Sequence, residues 1–563
     1  MADLKLSSLP SATSVNATDS IFLNNEGKTK TSPVSYLPTG ANNGEYTINF
    51  EDILKESIAS GRYENAGYSE WKKSCAYMKY AITLATQRVH THGGGTILFE
   101  KLYIVDGGTA GWEIDNVNNV TFRGVGEAGF IKPPTTPQYS GTSTGKQRFG
   151  FIRHCNNLRF INMQFIGRQT DMPKLYTADY GVEIHSGDGI YFEGCTFANM
   201  NDAALVVGNE TVSETDGLDC TKNVYVNKCK FLNTWQTSTT QNGVYNYWFT
   251  NNYVAGGATK FAQRLPNGDN IHVLNNVYKV HKNFIGNPLE FCNYNNVWIE
   301  NNVVIGSENA AVAMSLYYNT HADTNYYQTH NCISIKGNKI YGCKTGIWFN
   351  HGVANYPAGR IVIEDNTLKG NISSKAISIS GYFDIVKIKN NYIDSIKGIG
   401  ICIGTNSASA IVDKLYIENN IIKNTTKAPV IFNQYINYLK FNNNHIENNI
   451  NYPLIKSGDG EASGIFKILE FRNNYLKNSY SGQHIFQTQT GSYGFAMIYD
   501  NYIVGSGAGF YGFGAKTVML AGNYINTANA SVHFPSGSSA TIYTIDNVLS
   551  KNITLNGATQ VAK

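Results

Sequence analysis

The chain of 563 residues carries little charge: 45 Lys and Arg against 41 Asp and Glu, 15 % in all, with a net charge of +4. That bias is too weak to hold a nucleic acid or a membrane surface by electrostatics. No apolar run is long enough to span a bilayer. The start, Met1-Ala2-Asp3-Leu4-Lys5, lacks the basic-then-apolar pattern of a secretory signal. There are nine cysteines, an odd number without paired spacing, so a disulfide framework is not expected. Together these absences describe a protein made and folded in a reducing cytoplasm and not exported by the usual secretory route. Metal-ligating spacings are missing too. His90 and His92 sit close together at a helix–strand junction without Cys or carboxylate partners, and no tight Asp cluster exists to hold calcium. No metal and no cofactor is expected.

What the sequence does have is a recurring asparagine followed by a variable residue and then an apolar one. It appears at Asn252, Asn276, Asn302, Asn338, Asn366, Asn391, Asn420, Asn444, Asn474, Asn501, Asn523 and Asn547, every two to three dozen residues. Further back, Cys229, Cys195 and Met163 fill the same slot. A repeat of this length means a stacked solenoid. Before each slot lies a short alternating run such as Asn223-Val224-Tyr225-Val226 or Lys414-Leu415-Tyr416-Ile417, and a second run often follows, such as Ala204–Val207 or Ala376–Ile379. Period two with β-branched and aromatic residues reads as strand. Gly, Asn and Ser between the runs suit tight turns. The fold class is therefore all-β, a right-handed parallel β-helix, its hand following from the handedness of parallel crossovers. The inward asparagines stack as an amide ladder, and Cys or Met fits the same buried slot. About fifteen coils at ~4.8 Å each make a rod roughly 70 Å long.

The first residues differ. Residues 1–40, with Asp19-Ser20-Ile21-Phe22-Leu23 and Gly27-Lys28-Thr29-Lys30, read as a small β element too short to carry its own core. A linker runs from Pro38 to Gly44, and residues 41–95 comprise linker and a helix from Ser69 to about Gln87. Ser69 caps that helix, and Trp71, Cys75, Met78, Ile82 and Ala85 share one face. A helix here covers the open end of the solenoid. Residues 96–563 form the β-helix.

The helix, the Gly93-Gly94-Gly95 entry and the asparagine coils resemble the pectate-lyase-like β-helix superfamily, and residues 1–40 are similar to the virion-attachment segments of bacteriophage tailspikes and tail fibres. The resemblance implies a phage tailspike that recognises and depolymerises bacterial capsule or O-antigen. It implies a homotrimer of side-by-side β-helices, attached to a tail or baseplate protein through residues 1–40. The protein would be virion-borne and act at the bacterial surface, with no nucleic acid and no membrane insertion. This chain departs from the pattern in continuing as coils through Asp546-Asn547-Val548, where many tailspikes carry a distinct C-terminal domain.

Irregular connections concentrate between residues 165 and 331, and loops on a rigid scaffold are where binding residues gather. Hydrolysis of a glycosidic bond needs two carboxyl groups. Glu290 and Glu308 lead, with Asp269 and Asp202 behind them and Glu183 in reserve. Aligning strands with Ile271 over Val297 puts Arg264 near Glu290. Aligning on the slot puts Asn201, Lys282, Glu308 and Lys344 in one column, and Asp202, Asn283, Asn309 and Thr345 in the next. Arg264 and Lys282 would orient an acidic sugar or a carboxylate. Trp235, Tyr245, Trp248, Tyr317 and Tyr318 offer flat faces with polar edges for sugar contact. Any one carboxylate here is more at home in a solvated turn. A lyase would instead need a base such as His281, His330 or Lys282. The same fold without a carboxyl pair would serve as a receptor-binding fibre or adhesin. An ordinary pectinase fits the missing signal and residues 1–40 less well.

Overall fold

The structure is a computed structural model. It describes residues 20–25, 28–33, 46–105, 111–132, 147–168, 179–208, 220–240, 243–262, 269–281, 284, 286–292, 296–316, 332–351, 358–404, 410–458, 466–488, 493–512, 515–534, 539–556 and 558–562. The chain divides into two compact units, Met1–Tyr46 and Thr47–Lys563. In the first, Ser20–Asn25 and Lys28–Pro33 pair antiparallel as a hairpin. The expected linker between Pro38 and Gly44 lies outside the described residues.

The second unit opens with Thr47–Asn49, which pairs in parallel with Gly95–Phe99. Two helices separate them. Helix α1, Phe50–Ala59, is capped by Asn49, whose side chain accepts from the Glu51 N–H. Helix α2, Glu70–Thr91, is capped by Ser69, as its sequence implies. Cys75, Met78, Ile82 and Ala85 are buried on one face of α2. Phe50 stacks on Phe99 with ring centroids 4.6 Å apart and meets Tyr103 edge-on at 4.8 Å. The helices thus cover the apolar end of the first coil. Helix α1 is absent from the sequence reading because ten residues give too short a period to stand out. No helix is long and apolar enough to cross a membrane.

From Gly95 onward, every strand pairing is parallel. Among the described residues, one sheet holds nineteen strands, from Thr47–Asn49 to Thr559–Ala562. The rest of each coil forms two further strand columns, fused into one long strand at Thr196–Val207, Lys230–Thr240, Val303–Leu316 and Lys339–His351. The solenoid is therefore longer than fifteen coils, because regular coils precede the first recognisable slot. Inward rings stack coil on coil, as in Phe165–Phe197–Phe231, at 4.9 and 5.0 Å. Where two columns fuse, extra residues bulge at the corner. The register shifts between Met200 and Ala203, between Gln236 and Ser238, and between Ser307 and Ala310.

The asparagine slot is a hydrogen-bond ladder. Asn302 Oδ1 accepts from the Asn276 backbone N–H and from Asn276 Nδ2, both at 2.9 Å, while Asn302 Nδ2 donates to the Val273 carbonyl at 2.8 Å. The same three bonds recur at Asn391, with Asn366 and Ile363, and at Asn523, with Asn501 and Ile498. The ladder begins where Asn252 Oδ1 caps the Cys229 N–H at 2.8 Å. Cys195 and Cys229 are buried in the slot, and burial pushes the Cys229 thiol up. Met163 fills it one coil earlier.

The residue before the slot is left-handed at every rung: Asn251, Asn275, Asn301, Asp365, Asn390, Asn419, Asn443, Asn473, Asp500 and Asp546 all have φ between 48° and 58°, save Asn275 at 59°. Asn and Asp tolerate this conformation better than other side-chain-bearing residues. Gly337 and Gly522 take the same position, and a Cβ there would sit 2.4 and 2.2 Å from the side-chain oxygens of Asn301 and Asp500 one coil below. The doubled asparagines of the sequence therefore do two jobs, one bending the backbone and one capping the coil beneath.

Replacing Asn302 with Leu leaves the buried Asn276 N–H and the Val273 carbonyl without their partner and should destabilise the protein by about 3 kcal/mol. Chemical denaturation checks this; unchanged stability would remove the ladder from the account. Lys228 is the misfit in the left-handed column at φ 52°. Lys228→Asn should stabilise by roughly 0.5–1 kcal/mol, read as a raised denaturation midpoint.

Candidate functional site

On the third strand column, the alternation of the pleat gives one outward backbone position per coil. Backbone pairing runs Glu113, Phe151, Glu183, Val206, Thr239, Lys260, Glu290, Ala313 and Trp348. Their neighbours Val182, Ile184, Leu289 and Phe291 face inward and are buried. The column passes through the irregular coils and carries three carboxylates on one rigid edge.

The register bears out one sequence expectation and corrects another. Ile271 does lie over Val297. Lys260 is the residue opposite Glu290; Arg264, expected near Glu290, lies outside the described residues. The corner bulge lets the strand gain a residue without shifting the strands on either side of it. Ser307 pairs with Cys343 and Ala310 with Thr345, so Glu308 and Asn309 together oppose Lys344. Asn309 is thus not over Thr345. Ala313 occupies the position above Glu290, and Glu308 is exposed at the corner several residues upstream. The two leading carboxylates are not stacked. Glu290 is half-buried and accepts from Asn287 Nδ2 at 3.2 Å, and Asn287 Oδ1 in turn accepts from the Ala310 N–H at 3.2 Å.

The other expected residues fall in several places. Asp202 lies in the strand Thr196–Val207 at the bulge opposite Trp235, and its side chain is outside the described residues. Trp235 is half-buried, edge-on to Phe284 at 5.1 Å. Asp269 Oδ1 accepts from the Asn270 and Asn296 N–H groups at 2.7 and 3.0 Å, and both its oxygens accept from Asn296 Nδ2. That is a strand-start cap. Tyr245 pairs with Asp269 in the adjacent coil; burial, with Cys220 and Asp269 nearby, pushes its phenol up. Lys282, Tyr317 and Tyr318 lie outside the described residues.

Trp248 is not a free stacking platform. It sits in a column of parallel rings on the first sheet, with Tyr225 at 4.4 Å on one face and His272 at 5.3 Å on the other. The column runs on through Tyr191 and Trp298. Its members present edges outward, whereas a sugar stacks on a ring face.

The residues that sequence reasoning ranked too low surround Glu183. This side chain points outward yet is only 1 % exposed. Arg148 Nη1 lies 2.9 Å from its Oε2, and His185 Nε2 lies 2.5 Å from its Oε1. The Arg148 guanidinium covers the Phe151 ring at 4.2 Å, and His185 meets the same ring edge-on at 4.5 Å. Arg153, 5.1 Å from that ring, pairs with Glu113 and lies 3.5 Å from Asp115. His154 Nδ1 is 2.8 Å from Asp115. The alternation in Val182-Glu183-Ile184-His185 put Glu183 and His185 on one outward face; nothing in the sequence placed Arg148 beside them. Among the described residues, no group of three or more His, Cys, Asp or Glu is placed to hold a metal ion.

The covered faces of Trp248 predict the outcome of removing it. Trp248→Ala should cost about 1–2 kcal/mol of stability while changing glycan affinity by less than about twofold. A large loss of affinity with unchanged stability would restore it to a binding role.

No family model matches the chain, and no curated protein sequence matches it. Among solved structures it is similar to a hyperthermoactive exopolygalacturonase from Thermotoga maritima, 9 % identical over 72 % of this chain and 87 % of that one, with a TM-score of 0.31. A tailspike protein of E. coli bacteriophage HK620 is 15 % identical over 86 % of this chain and 74 % of that one, with a TM-score of 0.33. The Streptococcus pneumoniae surface protein and adhesin PfbA is 11 % identical over 92 % of this chain and all of that one, with a TM-score of 0.25. Values this low carry no argument about activity. The parallel pairing of successive coils makes this chain a parallel β-helix, right-handed by the rule for parallel crossovers.

Proposed function

We propose that this protein is a phage tailspike that binds bacterial surface polysaccharide and cleaves it by glycosidic hydrolysis on the outer face of the third strand column. One observation carries the reading: a single outward column holds Glu113, Glu183 and Glu290, and it runs through the coils whose connections are longest. Two carboxyl groups on one rigid edge are what hydrolysis needs, one to protonate the leaving oxygen and one to activate water. A long polymer suits an open edge of this length, because successive sugars can meet successive coils. The separate hairpin unit at Ser20–Pro33 is the segment we assign to virion attachment, with a homotrimer as the assembly.

A second reading rests on His185. A histidine 2.5 Å from a buried carboxylate is the arrangement a lyase would use to take a proton from carbon. Product mass separates the two. Purified protein incubated with capsule and lipopolysaccharide from a panel of bacteria should release fragments with the mass of intact repeat units plus water. Fragments lighter by one water, absorbing in the ultraviolet, would replace hydrolysis with elimination. Binding without fragments on every strain would make the protein an adhesin.

A further inference from the structure

Within the outward column, the geometry points to one pair. We propose that Glu113 and Glu183, with His185, are the acid–base centre of the hydrolysis inferred above, and the assignment rests on that reading. Glu113 and Glu183 are the partners of Phe151 on the coils to either side. Two coil steps of ~4.8 Å separate their backbones by about 10 Å. Both side chains are drawn toward the intervening coil, because the arginine that each one meets belongs to it: Glu183 meets Arg148 at 2.9 Å, and Glu113 meets Arg153. Both guanidinium groups lie near the Phe151 ring, at 4.2 and 5.1 Å. Both carboxyl groups thus lean toward the coil between them, and the inference requires a separation of roughly 6.5–9.5 Å, which leaves room for a water and gives inversion at the anomeric carbon. Glu290 is four coils beyond Glu183 on the same column, about 19 Å away, too far to act with it.

The two ends differ in a way that assigns roles. Glu183 is buried and shares a 2.5 Å contact with His185 Nε2; Glu113 is exposed. A proton passes to the glycosidic oxygen from His185, the more exposed member of the pair. The bond from that oxygen to the anomeric carbon breaks, and its electron pair stays on the oxygen. A water on the opposite face adds to the carbon and gives a proton to the Glu113 carboxylate. One water is consumed, and the proton on Glu113 returns through solvent to the Glu183–His185 pair. Arg148 and Arg153 act as positioning residues.

The test uses the full-length protein and a capsule or lipopolysaccharide that the wild type cleaves. Glu113→Gln and His185→Gln should each lower kcat by about 10²–10⁴-fold, with polysaccharide affinity within about twofold of wild type. Glu183→Gln disturbs a buried ion pair and is judged only beside its thermal unfolding curve. Two further readouts separate chemistry from structure. Proton NMR of the first product should show the inverted anomer, and azide should restore turnover to Glu113→Ala, giving a glycosyl azide of inverted configuration. Wild-type turnover in Glu113→Gln and His185→Gln, or a retained anomer, overturns the pair and leaves the depolymerase reading standing. A wild type that cleaves no polysaccharide overturns that reading and the pair with it.

Discussion

The solenoid depends on how one backbone N–H per coil finds an acceptor. At the turn after the first strand, the chain bends through a left-handed residue and its next N–H points along the rod, toward the following coil. In the ladder from Cys229 to Asn523, the Asn side chain of that following coil accepts it. A buried N–H left without an acceptor costs roughly 1–3 kcal/mol, and the slot repeats along most of the rod. Strand register, core stacking and the placement of outward columns all follow from keeping these turns aligned. Where thiols or Met163 take the slot, the neighbouring pairing of Thr196 with Met163 and Lys230 with Cys195 keeps the same turn.

This explains what was legible in the sequence. The asparagine slots, the alternation of core residues and the Ser69-capped helix are local patterns, and each appears where the residues imply. The first asparagine of each pair had no role until its backbone angle was seen. Corner bulges were not legible, because an added residue at Ser307–Ala310 leaves the strands on both sides intact in sequence while changing which side chain stands above which. For that reason the slot-based pairing of Asn309 with Thr345 fails locally, whereas the strand-based pairing of Ile271 with Val297 holds. Trp248 shows another limit: composition gives a ring its chemistry, but only neighbouring coils decide whether its faces are open. Arg148 shows a third, since its meeting with Glu183 depends on two connections of unequal length.

The division of labour follows the pleat. Inward positions repeat Val, Ile, Leu and Phe and are interchangeable in kind, so they fix the scaffold. Outward positions on the same strands are free of that demand and can hold charge. Glu183 is unusual in being both outward and buried, so water is excluded from a carboxylate beside a cation and an imidazole. Burying such a group is expensive unless it is paired, and Arg148 and His185 supply the pairing. The first sheet spends its outward positions differently, on a continuous column of rings that adds contact between coils and leaves little face for a ligand.

The amide ladder has a direction. Each slot asparagine accepts from the coil made before it and donates to a carbonyl of that same earlier coil, as Asn302 does with Asn276 and Val273. During synthesis, a coil within the ladder is therefore complete only after the next two to three dozen residues have left the ribosome. The growing tip is always one rung short, carrying an N–H that waits for a side chain not yet made. Elongation itself then acts as the clock for assembly, and the rod matures behind the ribosome at the pace of translation.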